Sequence, residues 1–230
     1  MFNRLAAIAG IGLILAASAP ATAQSLTVVE LFTSQGCSSC PPANANLAVL
    51  ANRPDVLALS FGVTYWDDLG WKDTFASKAY TQRQWDYARG LHHGNVFTPQ
   101  VVINGRTDVV GTTLQEIDSA ATRTPAPISG SAISLTGETV TLGAAAKPGK
   151  TAQVWLVRYD PRTVQVPVKR GENTGKTLPH RNVVRELTNL GDYRGEALTL
   201  KLPASADPNL KTAILVQAGP GGPILAAAKG

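Results

Sequence analysis

Cysteine is nearly absent from this chain: 230 residues hold two, Cys37 and Cys40. With only Ser38 and Ser39 between them they can close only a tiny loop. In the chain-entropy account such a loop gives little beside the ~3 kcal/mol of a 15-residue one, which argues against a purely structural bridge. A structural zinc site lacks its four ligands at any recognisable spacing. Beyond the N-terminus there is no apolar run near the ~20 residues that span a bilayer as a helix. A strong charge of one sign is missing as well. The 21 Lys and Arg against 16 Asp and Glu leave a net charge of +5, mild and scattered, which gives no warrant for nucleic-acid binding. Neither an internal repeat nor a low-complexity tract is evident.

What is present begins with an address. Arg4 precedes an uncharged apolar run, Leu5 to Ala17, and Ala21-Thr22-Ala23 has the small-x-small form of a signal-peptidase site. Residues 1–23 are therefore expected to be a signal peptide, and the mature protein periplasmic or secreted, with no stable membrane insertion once the leader is gone. Disulfides persist in such a compartment.

The cysteines lie where a strand is expected to hand over to a helix. Leu26 to Phe32 reads as a buried strand. Pro41 and Pro42 fit only a helix's first turn, and Ala43, Leu47, Leu50 and Ala51 recur at helical spacing. That puts Cys37 at or just before the helix N-terminus and Cys40 about one turn in. Unpaired N–H groups and the helix dipole stabilise a thiolate there, so the pair points to redox chemistry.

Further along, Val56 to Val63 reads as a second strand, Tyr65 to Asp73 as an irregular aromatic and acidic stretch, and Phe75 to Leu91 as a helix. Thr98-Pro99 stands just before the β-branched run Val101-Val102-Ile103, and Asn104-Gly105 turns the chain into Arg106 to Val110. Thr113 and Glu116 have capping-box spacing ahead of a short helix. The order is β-α-β-α-β-β-α. After Pro125, short alternating segments punctuated by Gly and Pro replace the helices. The expected architecture is an α/β domain over residues 24–124 followed by an all-β sandwich-like domain over 128–230.

That element order, a Cys-x-x-Cys at the first helix and a Thr-Pro before the third strand resemble the thioredoxin superfamily in its shorter, glutaredoxin-like form. The stretch Thr98 to Arg106 looks like the corresponding segment of bacterial periplasmic disulfide oxidoreductases. More closely, the mature chain resembles an exported bacterial family of unknown function with a thioredoxin-like N-terminal half. The matching signatures are Glu30 to Pro42, Tyr65-Trp66-Asp67 with Leu69-Gly70-Trp71, and Gly171-Glu172-Asn173. The resemblance implies a thioredoxin-like fold for the first half, Cys37 as nucleophile and Cys40 as resolving thiol. It also implies a cis Pro99 beside the pair and a Thr98 backbone that pairs with an extended substrate.

Three other features are weighed on the same footing. Trp66, Asp67 and Trp71 either wall the thiol site and bind the partner or tie down a long loop. The segment Lys169 to Thr177 lacks the spacing of a phosphate loop, and Pro179 follows where a helix should start. It reads as a solvated loop, or, with His180 and Arg181, as a partner-facing edge near the thiols. Cys37 and Cys40 with one of His92, His93 or His180 would make a soft site suited to Cu(I).

The leading expectation is a thiol–disulfide oxidoreductase with no cofactor, whose partner is an envelope protein thiol or disulfide rather than nucleic acid. The alternatives are a Cu(I)-binding carrier and a non-catalytic binding module. N-terminal sequencing of the exported protein should return Gln24 as its first residue; retention of Met1 in that fraction contradicts the leader assignment.

Overall fold

The computed structural model describes residues 26–127, 133–145 and 151–230. The expected leader, residues 1–23, and the expected start of the second domain at 128 lie outside the described residues.

The first half follows its hydrophobic pattern. β1 (Thr27–Thr33) is buried from its second residue on, and α1 (Pro41–Leu50) opens on the two prolines, where a missing N–H leaves no helix bond unmade. β2 (Val56–Gly62) is buried throughout and runs parallel to β1. α2 (Lys78–Gly90) is capped by the Ser77 hydroxyl, which accepts from Ala79 N–H at 3.2 Å, and therefore starts later than the sequence reading placed it. β3 (Gln100–Ile103) and β4 (Thr107–Val109) form a hairpin across Asn104-Gly105, both at positive φ. α3 (Leu114–Arg123) starts at Thr113, whose hydroxyl accepts from Glu116 N–H at 3.2 Å.

The second half is all strand among the described residues. β5 (Ile133–Thr136), β6 (Thr139–Leu142), β7 (Ala152–Asp160) and β8 (Val164–Pro167) precede β9 (Thr177–His180), β10 (Val183–Tyr193), β11 (Leu198–Lys201), β12 (Lys211–Gln217) and β13 (Ile224–Lys229). β11, β6 and β5 make a three-stranded sheet, and β8 and β9 a two-stranded one.

The expected α/β thioredoxin-like domain followed by an all-β sandwich-like domain is not what forms. One eight-stranded sheet, ordered β13-β12-β7-β10-β2-β1-β3-β4, runs through both halves, and the described residues hold three α-helices in a mostly β protein. The junction is β10 beside β2: Val183 pairs with Ser60 in parallel, Ser60 N–H donates to the Asn182 carbonyl at 3.0 Å, and Asn182 Nδ2 donates to the Ala58 carbonyl at 2.8 Å. Strand patterns are local, whereas the choice of pairing partner is not, so a second half of alternating segments looked self-contained.

Alternation then sorts the core. Val28 and Phe32 of β1, Leu57, Leu59 and Phe61 of β2, Val157 and Tyr159 of β7, and Ala213 and Leu215 of β12 share one apolar cluster with Tyr80 and Tyr87 of α2. On the opposite face α1 and α3 cover the first half, while β5, β6 and β11 contribute to the cluster that holds Val154, Leu156, Ile214 and Val216. Within the first of these clusters the Glu30 carboxylate accepts from Arg83 Nε at 2.7 Å and Nη2 at 3.1 Å, both side chains buried, and Arg83 Nη1 donates to Gln217 Oε1 at 3.0 Å. β1, α2 and β12 are thereby tied across the two halves. Two buried charges are expensive to desolvate, and removing one partner of such a pair typically costs about 3–5 kcal/mol because the other is left uncompensated.

β9 contributes a second buried ionisable group. His180 is 2 % exposed, packs edge-on against Phe75 at 5.4 Å, and its Nε2 has no hydrogen-bond partner. Burial, with Arg185 adding like charge, lowers its pKa to about 4 from 6.5. Because the folded value is the lower one, the unfolded chain takes up the proton first as pH falls. Stability is therefore lost between pH 6.5 and about 4, by no more than about 3.5 kcal/mol at 1.36 kcal/mol per unit. Urea midpoints across that window should fall less steeply for His180→Gln than for the parent; parallel slopes would contradict this account.

Candidate functional site

The cysteine turn sits at the end of β1. Cys37 N–H donates to the Ser34 carbonyl at 3.2 Å and Cys40 N–H to the Cys37 carbonyl at 3.3 Å, so the chain has begun to coil before α1 starts. Cys40 is the helix N-cap and Cys37 lies three residues ahead of it, further from the helix than the sequence reading placed both. The two are joined as a disulfide with Cα atoms 5.5 Å apart. Both cysteines are 0 % exposed, whereas Ser38 and Ser39 between them face solvent.

Ser39 links this turn to the segment before β3. Its hydroxyl lies 3.3 Å from Cys37 Sγ and donates to the Thr98 carbonyl at 3.5 Å. The Thr98–Pro99 bond is cis; Pro99 is buried and Thr98 partly exposed. Trp66 Nε1 donates to Thr98 Oγ1 at 2.8 Å, and a Cβ at Gly36 would come within 3.3 Å of Trp66 Cβ, so glycine lets the indole lie against the turn. Trp71 Nε1 donates to Gln35 Oε1 at 2.9 Å. Both half-buried tryptophans thus brace the framework of the site. Exposed apolar surface nearby comes from Tyr65, Leu69 and Phe97.

Two acids frame the turn from opposite sides. Asp73 accepts from Gln35 N–H at 2.7 Å and Phe75 N–H at 2.7 Å, and Asp67 accepts from Asp73 N–H at 3.0 Å. Burial pushes the Asp73 carboxyl above its usual range, against the pull of those N–H donors. On the other side Glu172 Oε2 accepts from Ser38 N–H at 3.0 Å. Hydrogen bonding to Ser38 holds the Glu172 carboxyl below its usual range.

Glu172 belongs to an arm that joins β8 to β9. Asn173, 0 % exposed, donates through Nδ2 to the carbonyls of Gln35 at 3.0 Å and Cys37 at 2.9 Å, and accepts from Lys176 Nζ at 3.0 Å. The loop read from sequence as solvated is therefore anchored on the cysteine turn. His180 is in the core rather than on a partner-facing edge, while Lys169 and Arg170 stay at the surface. The structure thus gathers Cys37, Cys40, Pro99, Thr98, Trp66 and Trp71 into one region and adds Ser39, Glu172 and Asn173. The only sign of the last two in the sequence was the tripeptide Gly171-Glu172-Asn173.

The donor set for copper does not assemble. Among the described residues no three His, Cys, Asp or Glu side chains form a group able to hold a metal ion. His93 instead lies 2.9 Å from Asp108 Oδ1, and His180 is enclosed against Phe75. A hollow of about 320 Å³, lined by Val56, Tyr159, Arg181, Lys211 and Lys229, lies at the far end of β2 from the disulfide. Among the described residues no helix is long and apolar enough to cross a membrane.

Known proteins give the chain a family and a set of folds. A crystallised protein of Agrobacterium tumefaciens is similar at 34% identity over 91% of this chain and 95% of its own, with a TM-score of 0.73. HBP35 of Porphyromonas gingivalis shares the fold at 14% identity, with a TM-score of 0.61 over 91% of this chain and 76% of its own. No curated protein matches. The family described as "Protein of unknown function (DUF1223)" matches residues 28–217, and this chain belongs to it.

Proposed function

We propose that the protein is an exported thiol–disulfide oxidoreductase whose Cys37–Cys40 pair exchanges with the thiols or disulfide of an envelope protein. The observation that carries this reading is the juxtaposition of the disulfide turn with the Thr98 backbone, bridged by Ser39. The motif-level resemblance of Cys37–Cys40 and Thr98–Pro99 to thioredoxin-superfamily enzymes supports it, as does the leader expected at residues 1–23. A tiny disulfide loop does little for stability, which favours a chemical role.

In the exchange a partner thiolate attacks Cys37 Sγ, the Cys37–Cys40 bond breaks, and Cys40 leaves as a thiolate. A second partner thiol, deprotonated, then attacks the partner sulfur of the mixed disulfide and releases Cys37. Two electrons and two protons pass from a partner dithiol to the pair, which ends as two thiols while the partner ends as a disulfide; the reverse reaction follows the same steps backward. Both cysteines are enclosed in the resting oxidised state, so attack requires the exposed Ser38–Ser39 turn to give way. When the second step releases Cys37 as a thiolate, Ser39 Oγ, 3.3 Å from that sulfur in the disulfide form, is positioned to donate to it in place of the Thr98 carbonyl.

Cys37→Ser removes the attacked sulfur. Stopped-flow or fluorescence measurement of exchange with a dithiol protein substrate should show it abolished in this variant; undiminished exchange would sink the assignment.

A further inference from the structure

We propose that Glu172, carried in by the second half of the chain, sets the redox equilibrium of the Cys37–Cys40 pair by disfavouring its reduced, thiolate-bearing form. This rests on the reading of the pair as redox-active. Glu172 Oε2 takes the N–H of Ser38, the residue next to Cys37, at 3.0 Å. The arm is held there by buried Asn173, which grips the Gln35 and Cys37 carbonyls.

The two oxidation states meet this carboxylate differently. In the disulfide Cys37 Sγ is neutral, and Glu172 gains a charge-assisted hydrogen bond without opposition. When the disulfide is reduced and Cys37 ionises, two negative groups share one turn, and the Ser38 N–H is already committed. Of the backbone groups that follow, Pro41 and Pro42 have no N–H, and the Cys40 N–H is given to the Cys37 carbonyl. The Ser39 hydroxyl is a donor within reach of the sulfur. Among the described residues, other charged groups tied to the turn by hydrogen bonds include Asp73 on Gln35 N–H, Asp67 on Asp73 N–H, and Lys176 on Asn173. The acids add to the disadvantage of a thiolate, and Lys176 opposes it from behind Asn173. A carboxylate placed here therefore shifts the pair toward the disulfide, which makes its dithiol form the better electron donor.

Equilibration with glutathione tests the inference on the full chain. Two glutathione thiols give up two electrons and two protons to the pair and become one glutathione disulfide. Glu172→Gln keeps an acceptor for Ser38 N–H and removes the charge. It should favour the reduced pair by up to about tenfold, which for two electrons is about 30 mV, and lower the Cys37 thiol pKa. The parent's equilibrium should also move toward the variant's between about 0.01 M and about 1 M salt, as the Debye length falls from about 30 to about 3 Å, while the variant's stays put. Asn173→Ala, which frees the arm, should shift the equilibrium in the same direction as Glu172→Gln. An equilibrium within twofold of the parent in Glu172→Gln, or an opposite shift in Asn173→Ala, would overturn the proposal. The glutathione equilibrium is readable whether or not any protein substrate turns over. A parent that equilibrates normally but exchanges with no protein dithiol would thus refute the proposed function and leave the role of Glu172 standing.

Discussion

The pairing of β10 against β2 is the constraint on which the site depends. A parallel strand needs both of its edges satisfied, and β2 finds its second partner more than a hundred residues later in the chain. Asn182 makes the approach possible: it turns the backbone at φ 50°, and its side-chain amide donates to the Ala58 carbonyl. β9 lies immediately before that turn, alongside α1, and the arm carrying Glu172 and Asn173 lies immediately before β9. Docking β10 on β2 therefore delivers the arm to the opposite end of β2, where the cysteine turn leaves β1. The site is composite for this reason. Its sulfurs come from one half of the chain, and two of the groups that grip their backbone come from the other.

The buried Glu30–Arg83 pair holds the same halves together from within. Arg83 also lies over the rings of Tyr87 at 5.1 Å and Trp155 at 5.6 Å, so its guanidinium is surrounded by polar and aromatic partners from β1, α2, β7 and β12. An unpaired charge in this position would be costly, so the relative placement of these elements is tightly specified. Close backbone contact does similar work. A Cβ on Gly221, before β13, would come within 1.9 Å of the Asp86 carbonyl, so α2 can pack there only against glycine.

Much of this was legible in the sequence where the signal is local. The prolines of α1, the Thr113 cap, the Asn104-Gly105 turn, the alternation in β5 and β6 and the apolar run of β12 each carry their own physical cause. β9 and β13 were not legible: Pro179 argues against a strand, and the run Ala226-Ala227-Ala228 has little β preference. Sheet partnership was missed because it is decided by edges far apart in the chain. At the site, Cys37, Cys40 and Thr98-Pro99 stood out by residue type and spacing. Glu172 and Asn173 showed only within the signature Gly171-Glu172-Asn173, with no sign of their partners, since a polar segment between glycines reads as solvated until a distant turn supplies them.

In the proposed function the cysteine turn is a guarded redox centre, with Cys37 as the sulfur a partner enters through. The most direct measurement is trapping with Cys40→Ser, which leaves Cys37 without its internal partner and should arrest exchange at the mixed disulfide. Mass spectrometry of the envelope fraction is expected to find a protein disulfide-linked to Cys37, lost on treatment with dithiothreitol and absent from the double variant with Cys37→Ser. Absence of any Cys37-linked protein in the single variant would contradict the account.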